Sequence, residues 1–476
     1  MRNSSFVLVR MAFWLFVVAV ALIGVFFIIH NACWLVADDA IVIRHTGWGK
    51  AFSFPFGVYP EAGRFFPFAY CPYNILLLFN DSLISPKAHY IVNAVGFLVY
   101  VMSAAVLAVR ILKETKTLFR FFVSICFVTV CVELAFPMFI LVRSTMWVGY
   151  TLMMVFALLT HCFFFDHRWA FGIGALLCIN FFCYCGEFIF LFPLSMGACT
   201  LLFRKKQLEK REVVFSWLLI GSGLTYLVLY GILILPHIVN AYDGSHGGSL
   251  GIVENALKMI WGCKILILLI VILLVRVVDI VKNKKECMYY DVLLLMAAAG
   301  CCGSFILRLN LDNYYILSVL IGMPAVLYFS VYYFKEKLAI VFWVLLVLFY
   351  ARSVGSEVKH NQRDRKETYR QITLLSAKID ESEGVFCYDP VVEGYSYDVE
   401  IRSCKYDIID AYLGWLRHDP DFSIQRVPVF TPMNNTVWLS AMENRVLFPE
   451  DHQLELYGEE FYWAGWIDGY WVKTTE

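Results

Sequence analysis

Residues 11–30 read MAFWLFVVAVALIGVFFIIH, without a single Asp, Glu, Lys or Arg. A helix that crosses lipid needs about 20 such residues, because the hydrocarbon core is roughly 30 Å thick and a helix rises about 1.5 Å per residue. This run meets that length and is flanked by Arg2 and Arg10. It is longer than a signal-peptide core and no small-x-small site follows, so the expectation is an uncleaved anchor that is also the first span. The chain then continues as WLVADDAIVIRH (34–45), placing two adjacent carboxylates, Asp38 and Asp39, where it leaves the membrane.

The rest of the 476-residue chain follows the same composition. Hydrophobic residues make up 60% and charged residues 16%, against roughly 45–50% and about 25% in soluble proteins. Most of the chain is therefore expected in lipid. Its formal net charge is zero, which removes any global electrostatic case for nucleic acid as a partner. The 15 cysteines fall mostly inside apolar runs, among them Cys126, Cys131, Cys178, Cys183, Cys185, Cys263, Cys301 and Cys302. There they serve as small hydrophobes. Cys387 and Cys404, in the polar tail, are the one pair considered for a bridge.

Apolar runs of span length occur at 9–30, 89–111, 119–141, 147–165, 169–185, 187–203, 213–236, 259–281, 289–307, 314–334 and 337–351. The stretch 169–203 is too long for one helix and is divided at Gly186-Glu187, since a charge midway along a lipid-facing helix is costly. Lys and Arg collect in cytoplasmic loops. With the N-terminus cytoplasmic, the inner connections are KETKTLFR (113–120), DHR (166–168), RKKQLEKR (204–211), KNKK (282–285) and KEK (335–337). The expected fold is an all-α polytopic membrane protein of about 11 transmembrane helices with a small C-terminal extracytoplasmic α/β or α+β domain. Residues 1–351 form the membrane domain, with a large first external loop at 31–88, and 352–476 form the outer domain. The tail opens on a charged helical stretch, SEVKHNQRDRKETYRQITLLSAKI, and GVFCYDP, RVPVFT and YWAGWIDGYWVKTTE follow as strand-like runs.

No phosphate loop, dinucleotide fingerprint, G-x-S-x-G, H-E-x-x-H or paired CxxC is present. What remains is a set of charged residues that the topology places on one side, at helix ends. If the segment after the first span is helical, Asp38 shares a face with Ile41 or Val42 and with His45, beside Arg44. Two such carboxylates suit a base acting on a hydroxyl, or hold a divalent cation; a solvated helix end is the plain alternative. Arg64, in PEAGRFFPF with Glu61, offers the forked donors that fit phosphate. It would equally pair with Glu61. Arg143 and Arg308 end the third and ninth spans on the outer side, where snorkelling to headgroups is the alternative. Glu187 is an acid at membrane depth. Asn310, Asp312 and Tyr314 crowd the mouth of the tenth span in RLNLDNYY, although a tyrosine there also fits an interfacial belt.

This arrangement resembles the GT-C glycosyltransferases, a class that includes protein O-mannosyltransferases and lipid A aminoarabinose transferases. The resemblance covers the whole chain as architecture, and its local motif is the acidic pair Asp38-Asp39. It implies a polyprenyl-phosphate-linked sugar as donor, an inverting transfer, and a glycan, lipid or protein acceptor at the outer face of a bacterial inner or plasma membrane. Asp38 or Asp39 would be the catalytic base or orient the acceptor, and Arg64, Arg143 or Arg308 would neutralise the donor phosphate. Arg44, His45, Glu61, Glu187, Asn310, Asp312 and Tyr314 would line the substrate site. No WWDYG-like motif occurs in the tail, which argues against transfer of whole glycans to protein. Two other functions fit the same charges: a transporter or flippase for a lipid-linked glycan, and a polysaccharide polymerase. A transport path calls for polar residues through the midplane, and here the charges gather at the outer ends.

Overall fold

The computed structural model describes residues 2–32, 58–60, 63–68, 71–72, 86–140, 144–186, 188–239, 264–306, 311–381 and 384–388. In the tail it describes 413–414, 416–417, 419, 422–427, 436–441 and 470–475. The described residues form eleven helices of 14 residues or more: α1 Arg2–His30, α2 Pro86–Ile111, α3 Thr117–Phe139, α4 Ser144–Asp166, α5 Trp169–Cys183, α6 Leu191–Arg204, α7 Lys210–Leu233, α8 Lys264–Val281, α9 Tyr289–Ile306, α10 Leu311–Tyr333 and α11 Glu336–Glu381. They coincide one for one with the apolar runs of the sequence, so the chain is a polytopic helical membrane protein. Six of them, α1–α4, α7 and α11, are long and apolar enough to cross a membrane by length and composition alone. Among the other five, α5 and α6 have 15 and 14 residues, and α8 carries Lys264, Arg276 and Asp279.

Each helix is two-faced in the sense a bundle in lipid requires. On α1, Phe13, Val17, Ala21 and Ile28 are buried against the bundle, while Leu15, Val18, Leu22 and Phe26 face outward. Burial at steps of four, four and seven residues is the helical period. Around the bundle α1 packs on α2 and α3, α2 on α4, α4 on α5 and α10, α5 on α7, α7 on α6, α6 on α9, α9 on α10, and α11 on α3. Lipid is as apolar as leucine, so association depends on close fit and on polar contacts between helices. Both are present. Tyr100 donates its hydroxyl to the Cys131 carbonyl at 2.8 Å, and the Trp343 indole donates to Ser330 at 2.9 Å. Thr160 and Tyr289 share a 2.8 Å hydrogen bond between α4 and α9. Where α6 crosses α7, a Cβ added to Gly197 would sit 2.5 Å from the Ser216 carbonyl oxygen, so only a glycine fits.

The break between α5 and α6 falls where Gly186-Glu187 divides the apolar stretch. Cys183 ends one helix and Leu191 begins the next. The thiols of Cys126, Cys131, Cys178, Cys183, Cys185 and Cys302 are free of disulfides; Cys263, Cys404 and the side chain of Cys387 lie outside the described residues.

Within the first loop, β1 Val58–Tyr59 and β2 Arg64–Phe65 pair antiparallel, Val58 with Phe65 and Tyr59 with Arg64. After the last apolar run the helix does not stop. α11 is one helix of 46 residues, so the expected boundary at 351/352 falls inside it. The charged segment continues the helix because Glu, Lys, Arg and Gln are good helix formers. The tail forms a mixed four-stranded sheet in the order β4-β3-β5-β6, with β3 Gly384–Tyr388, β4 Gln425–Val427, β5 Thr436–Ala441 and β6 Tyr470–Thr475. β3 is parallel to both β4 and β5, and β6 closes antiparallel on β5. Arg417 holds this part to the end of α11 through Asp380 at 2.5 Å.

Candidate functional site at the hairpin end of the bundle

Hydrogen bonds and ion pairs sort the helix termini into two ends. At one end lie the basic connections. There Arg110 pairs with Asp166 at 2.6 Å, Lys116 with Glu336 at 3.0 Å, and Gln207 bonds Glu286 at 3.0 Å. At the other end Tyr90 and Asn93, at the start of α2, donate to the Ile140 and Phe139 carbonyls that finish α3, each at 3.1 Å. The backbone N–H of Ile265 donates to the Tyr350 hydroxyl there at 3.1 Å. The first-loop hairpin belongs to this second end.

Two residues per strand cannot hold a hairpin by themselves, so its position comes from the helices beneath it. Tyr226 of α7 donates to the Phe65 carbonyl at 2.8 Å, and Tyr230, one turn further along, donates to the Gly63 carbonyl at 2.9 Å. The Phe68 N–H donates to the Tyr184 carbonyl at 2.9 Å, beyond the end of α5. Gly63 has φ +72°, a left-handed conformation that favours glycine. A Cβ there would lie 3.4 Å from Ile238 and 3.6 Å from the Tyr230 hydroxyl. Rings complete the seat: Phe190 stacks on Tyr226 with centroids 5.3 Å apart, and Phe68 stacks on Phe181 at 5.4 Å. Phe65 lies against Tyr184 and Tyr226. Burial pushes the Cys71 thiol above its ordinary pKa.

Arg64 is carried on this seat, half-buried, with its guanidinium carbon 4.8 Å from the centre of the buried Phe66 ring. The helices give its depth. Measured along α7 from Lys210, Tyr226 and Tyr230 lie about 24 and 30 Å from the basic end, at about 1.5 Å per residue. Along α5 from Trp169, Tyr184 lies about 22 Å from that end on the same rise. The hairpin therefore sits about 22–30 Å from the basic end, a distance comparable with the thickness of a hydrocarbon core, about 30 Å.

Of the candidate residues, Arg64 is the one whose side chain is described. Asp38, Asp39, Arg44, His45, Glu61, Arg143, Glu187, Arg308 and Asn310 lie outside the described residues, and Asp312 and Tyr314 are described only as backbone in the first turn of α10. In the chain, Arg143 immediately precedes α4, and Glu187 lies between α5 and α6.

Three features escape the sequence reading. Tyr184, Tyr226 and Tyr230 look like belt residues, and only their partners give them a role. Glu133 lies in the apolar run of α3, four residues before Pro137. Its Oε2 is buried without a hydrogen-bond partner among the described residues. An acid in such a run is itself the signal. The third feature is at the basic end. The Arg276 guanidinium, 1% exposed, meets Asp291 through Nε–Oδ1 at 2.7 Å and Nη2–Oδ2 at 2.8 Å, with the Phe329 ring 4.8 Å away. Tyr333 donates to Asp279 at 2.6 Å, and Asn283 donates to its other oxygen at 2.8 Å. Lys285 has its pKa raised, first by its bond with the Tyr332 hydroxyl and also by Asp279. This network ties α8, α9 and α10 together, and its groups are satisfied by one another.

No known protein family's sequence profile matches the chain, and no curated protein matches it in sequence. Its fold does have a solved counterpart. The apo structure of ArnT from Cupriavidus metallidurans superposes with a TM-score of 0.51, covering 97% of this chain and 98% of that one at 11% identity. ArnT is an aminoarabinose transferase of the GT-C class. The likeness extends from the first helix through the tail, and at this identity it is a likeness of fold.

Proposed function

We propose that the protein is an integral-membrane glycosyltransferase that takes a sugar from a polyprenyl-phosphate donor and passes it, with inversion, to an acceptor hydroxyl or amine. The observation that carries this reading is the full-length fold likeness to ArnT, and the arginine held on the hairpin supports it. The proposed orientation puts the N-terminus and the basic connections in the cytoplasm and the hairpin end, with residues 352–476, outside. The carbon chain of such a donor stays in lipid while its sugar is in water. Its enzyme must therefore offer cations and carboxylates at that border.

In the proposed reaction the acceptor heteroatom attacks the anomeric carbon as the bond from that carbon to the phosphate oxygen breaks. The electron pair stays on the phosphate, and a preplaced guanidinium stabilises the charge that develops there. Arg64 is assigned that role, and Arg143 and Arg308 are proposed as further cations for the donor phosphate. The acceptor's proton passes to Asp38 or Asp39, whose carboxylate lies on the opposite face of the sugar. Arg44, His45, Glu61, Glu187, Asn310, Asp312 and Tyr314 are proposed to line the sugar and acceptor pocket.

The test is a transfer assay with purified full-length protein in lipid nanodiscs and radiolabelled polyprenyl-phosphate sugars, scored for loss of label from the polyprenyl lipid. A transporter moves such a lipid across a vesicle membrane and leaves its glycosidic bond intact. Movement without bond cleavage, across a panel of sugars and acceptors, would refute the enzyme.

A further inference from the structure

We infer that Tyr226 and Tyr230 are positioning residues for Arg64, and that through them α7 fixes the height and direction at which the guanidinium meets a polyprenyl phosphate. The inference rests on the reading of Arg64 as a phosphate ligand and deepens it.

By itself the hairpin is weakly held. Its ladder consists of two residue pairs, Val58 with Phe65 and Tyr59 with Arg64, far short of what keeps a hairpin in place in water. A guanidinium on an unrestrained loop would lose much of its binding free energy to ordering. The restraint comes from α7, and it acts on the residues either side of Arg64. Tyr230 takes the carbonyl of Gly63 and Tyr226 takes that of Phe65.

The two acceptors flank Arg64 closely: Gly63 is the left-handed turn residue just before β2, and Phe65 is the second residue of β2. Side chains four residues apart on a helix share a face and stand about 6 Å apart along the axis. Two tyrosines at i and i+4 can therefore hold two carbonyls at j and j+2, and the residue between them is Arg64. The pair runs in one sense, with Tyr230, the residue nearer the end of α7, on the earlier carbonyl. The left-handed φ of Gly63 favours glycine there, and Ile238 and the Tyr230 hydroxyl pack beside it at ordinary contact distance. Tyr226 is 1% exposed and is itself wedged by Phe190, so the hydroxyl has little freedom to wander.

Other roles for these tyrosines make different predictions. If they only pack the loop, their loss should lower stability with no special connection to Arg64. If they position Arg64, their effect on phosphate binding must vanish once the guanidinium is gone.

That difference is measurable with full-length protein in nanodiscs, undecaprenyl phosphate as the probe, and native mass spectrometry as the binding readout. Tyr226→Phe/Tyr230→Phe keeps both rings and removes both hydroxyls. It should weaken binding by about tenfold, the scale of two modest hydrogen bonds, and Arg64→Ala should weaken it at least as much. The triple variant should bind no more weakly than Arg64→Ala alone. Amide exchange at 63–66 should quicken in the Phe variants. The single variants Tyr226→Phe and Tyr230→Phe supply the same cycle if the double variant does not insert. Native-like binding by the Phe variants, when Arg64→Ala binds poorly, would overturn the positioning role and leave the Arg64 reading standing. Losses in the triple variant that multiply independently would overturn it too. Native-like binding by Arg64→Ala would overturn both.

Discussion

Arg276 and Asp291 face each other through two parallel hydrogen bonds, at 2.7 and 2.8 Å, with both side chains almost fully enclosed. Asp291 also accepts from the Met288 N–H at 2.8 Å, so one carboxylate caps α9 while it grips α8. Arg276→Ala leaves the buried Asp291 without its cation, whereas Asp279 keeps Lys285 at 3.4 Å; removing one partner of a buried pair costs about 3–5 kcal/mol. The expected result is a large drop in thermal unfolding temperature in detergent. Arg276→Lys should recover only part of it, because an ammonium cannot fork. An unchanged melting temperature in Arg276→Ala would show that the network contributes little.

Gly197 supplies a second stability test with an internal control. Its added Cβ would strike the Ser216 carbonyl and Ile220, which belong to the neighbouring helix and cannot swing away as a side-chain tip would. Gly197→Ala should cost about 1–3 kcal/mol, the scale of overpacking. Gly221 and Gly231, on the same neighbouring helix, have open space around them, and Gly221→Ala should be neutral or slightly stabilising. Equal effects at 197 and 221 would contradict the close crossing.

Arg64 is tested by charge and by shape. Arg64→Lys keeps the charge and loses the fork, and Arg64→Ala loses both. Transfer from a polyprenyl-phosphate sugar should fall by about 10- to 100-fold in the alanine variant, the scale of a charged hydrogen-bond pair, with an intermediate loss for lysine. Full activity in both would move the phosphate role to Arg308.

The acidic pair separates a base from a bystander. Asp38→Asn and Asp39→Asn keep size and remove basicity. The variant at the base should lose about 10²-fold or more in transfer rate while inserting normally, and its neighbour should lose less. Normal transfer in both variants would make them solvated helix-end residues and move the base to another acid of the proposed pocket, Glu61 or Glu187.

Sidedness follows from the alternation of basic connections. A reporter active only in the cytoplasm, fused after Glu476, should stay silent, and one active only outside should report. Cytoplasmic activity would reverse the topology and the proposed external site together.

Hydropathy and charge alone place eleven helices, the break at Gly186-Glu187 and the sorting of basic loops to one end. Each depends on a one-dimensional fact: a run long enough for lipid, an acid that lipid rejects, a Lys or Arg count per loop. The sequence also puts Arg64 at a glycine step in an aromatic loop. It cannot say what holds Arg64 there. Tyr226 and Tyr230 read as two more tyrosines near a membrane surface until α7 is turned so that both hydroxyls meet the carbonyls of Gly63 and Phe65, some 160 residues back in the chain. Arg276 likewise reads as a charge near the end of a span until Asp291 is brought under it. The tertiary structure decides these pairings, because helix rotation and crossing depend on how side-chain surfaces interlock across the bundle. The apolar pattern that drives insertion leaves that open. The same holds for α11, where the apolar run ends by residue 351 while the backbone, in a charged stretch rich in good helix formers, stays helical to Glu381.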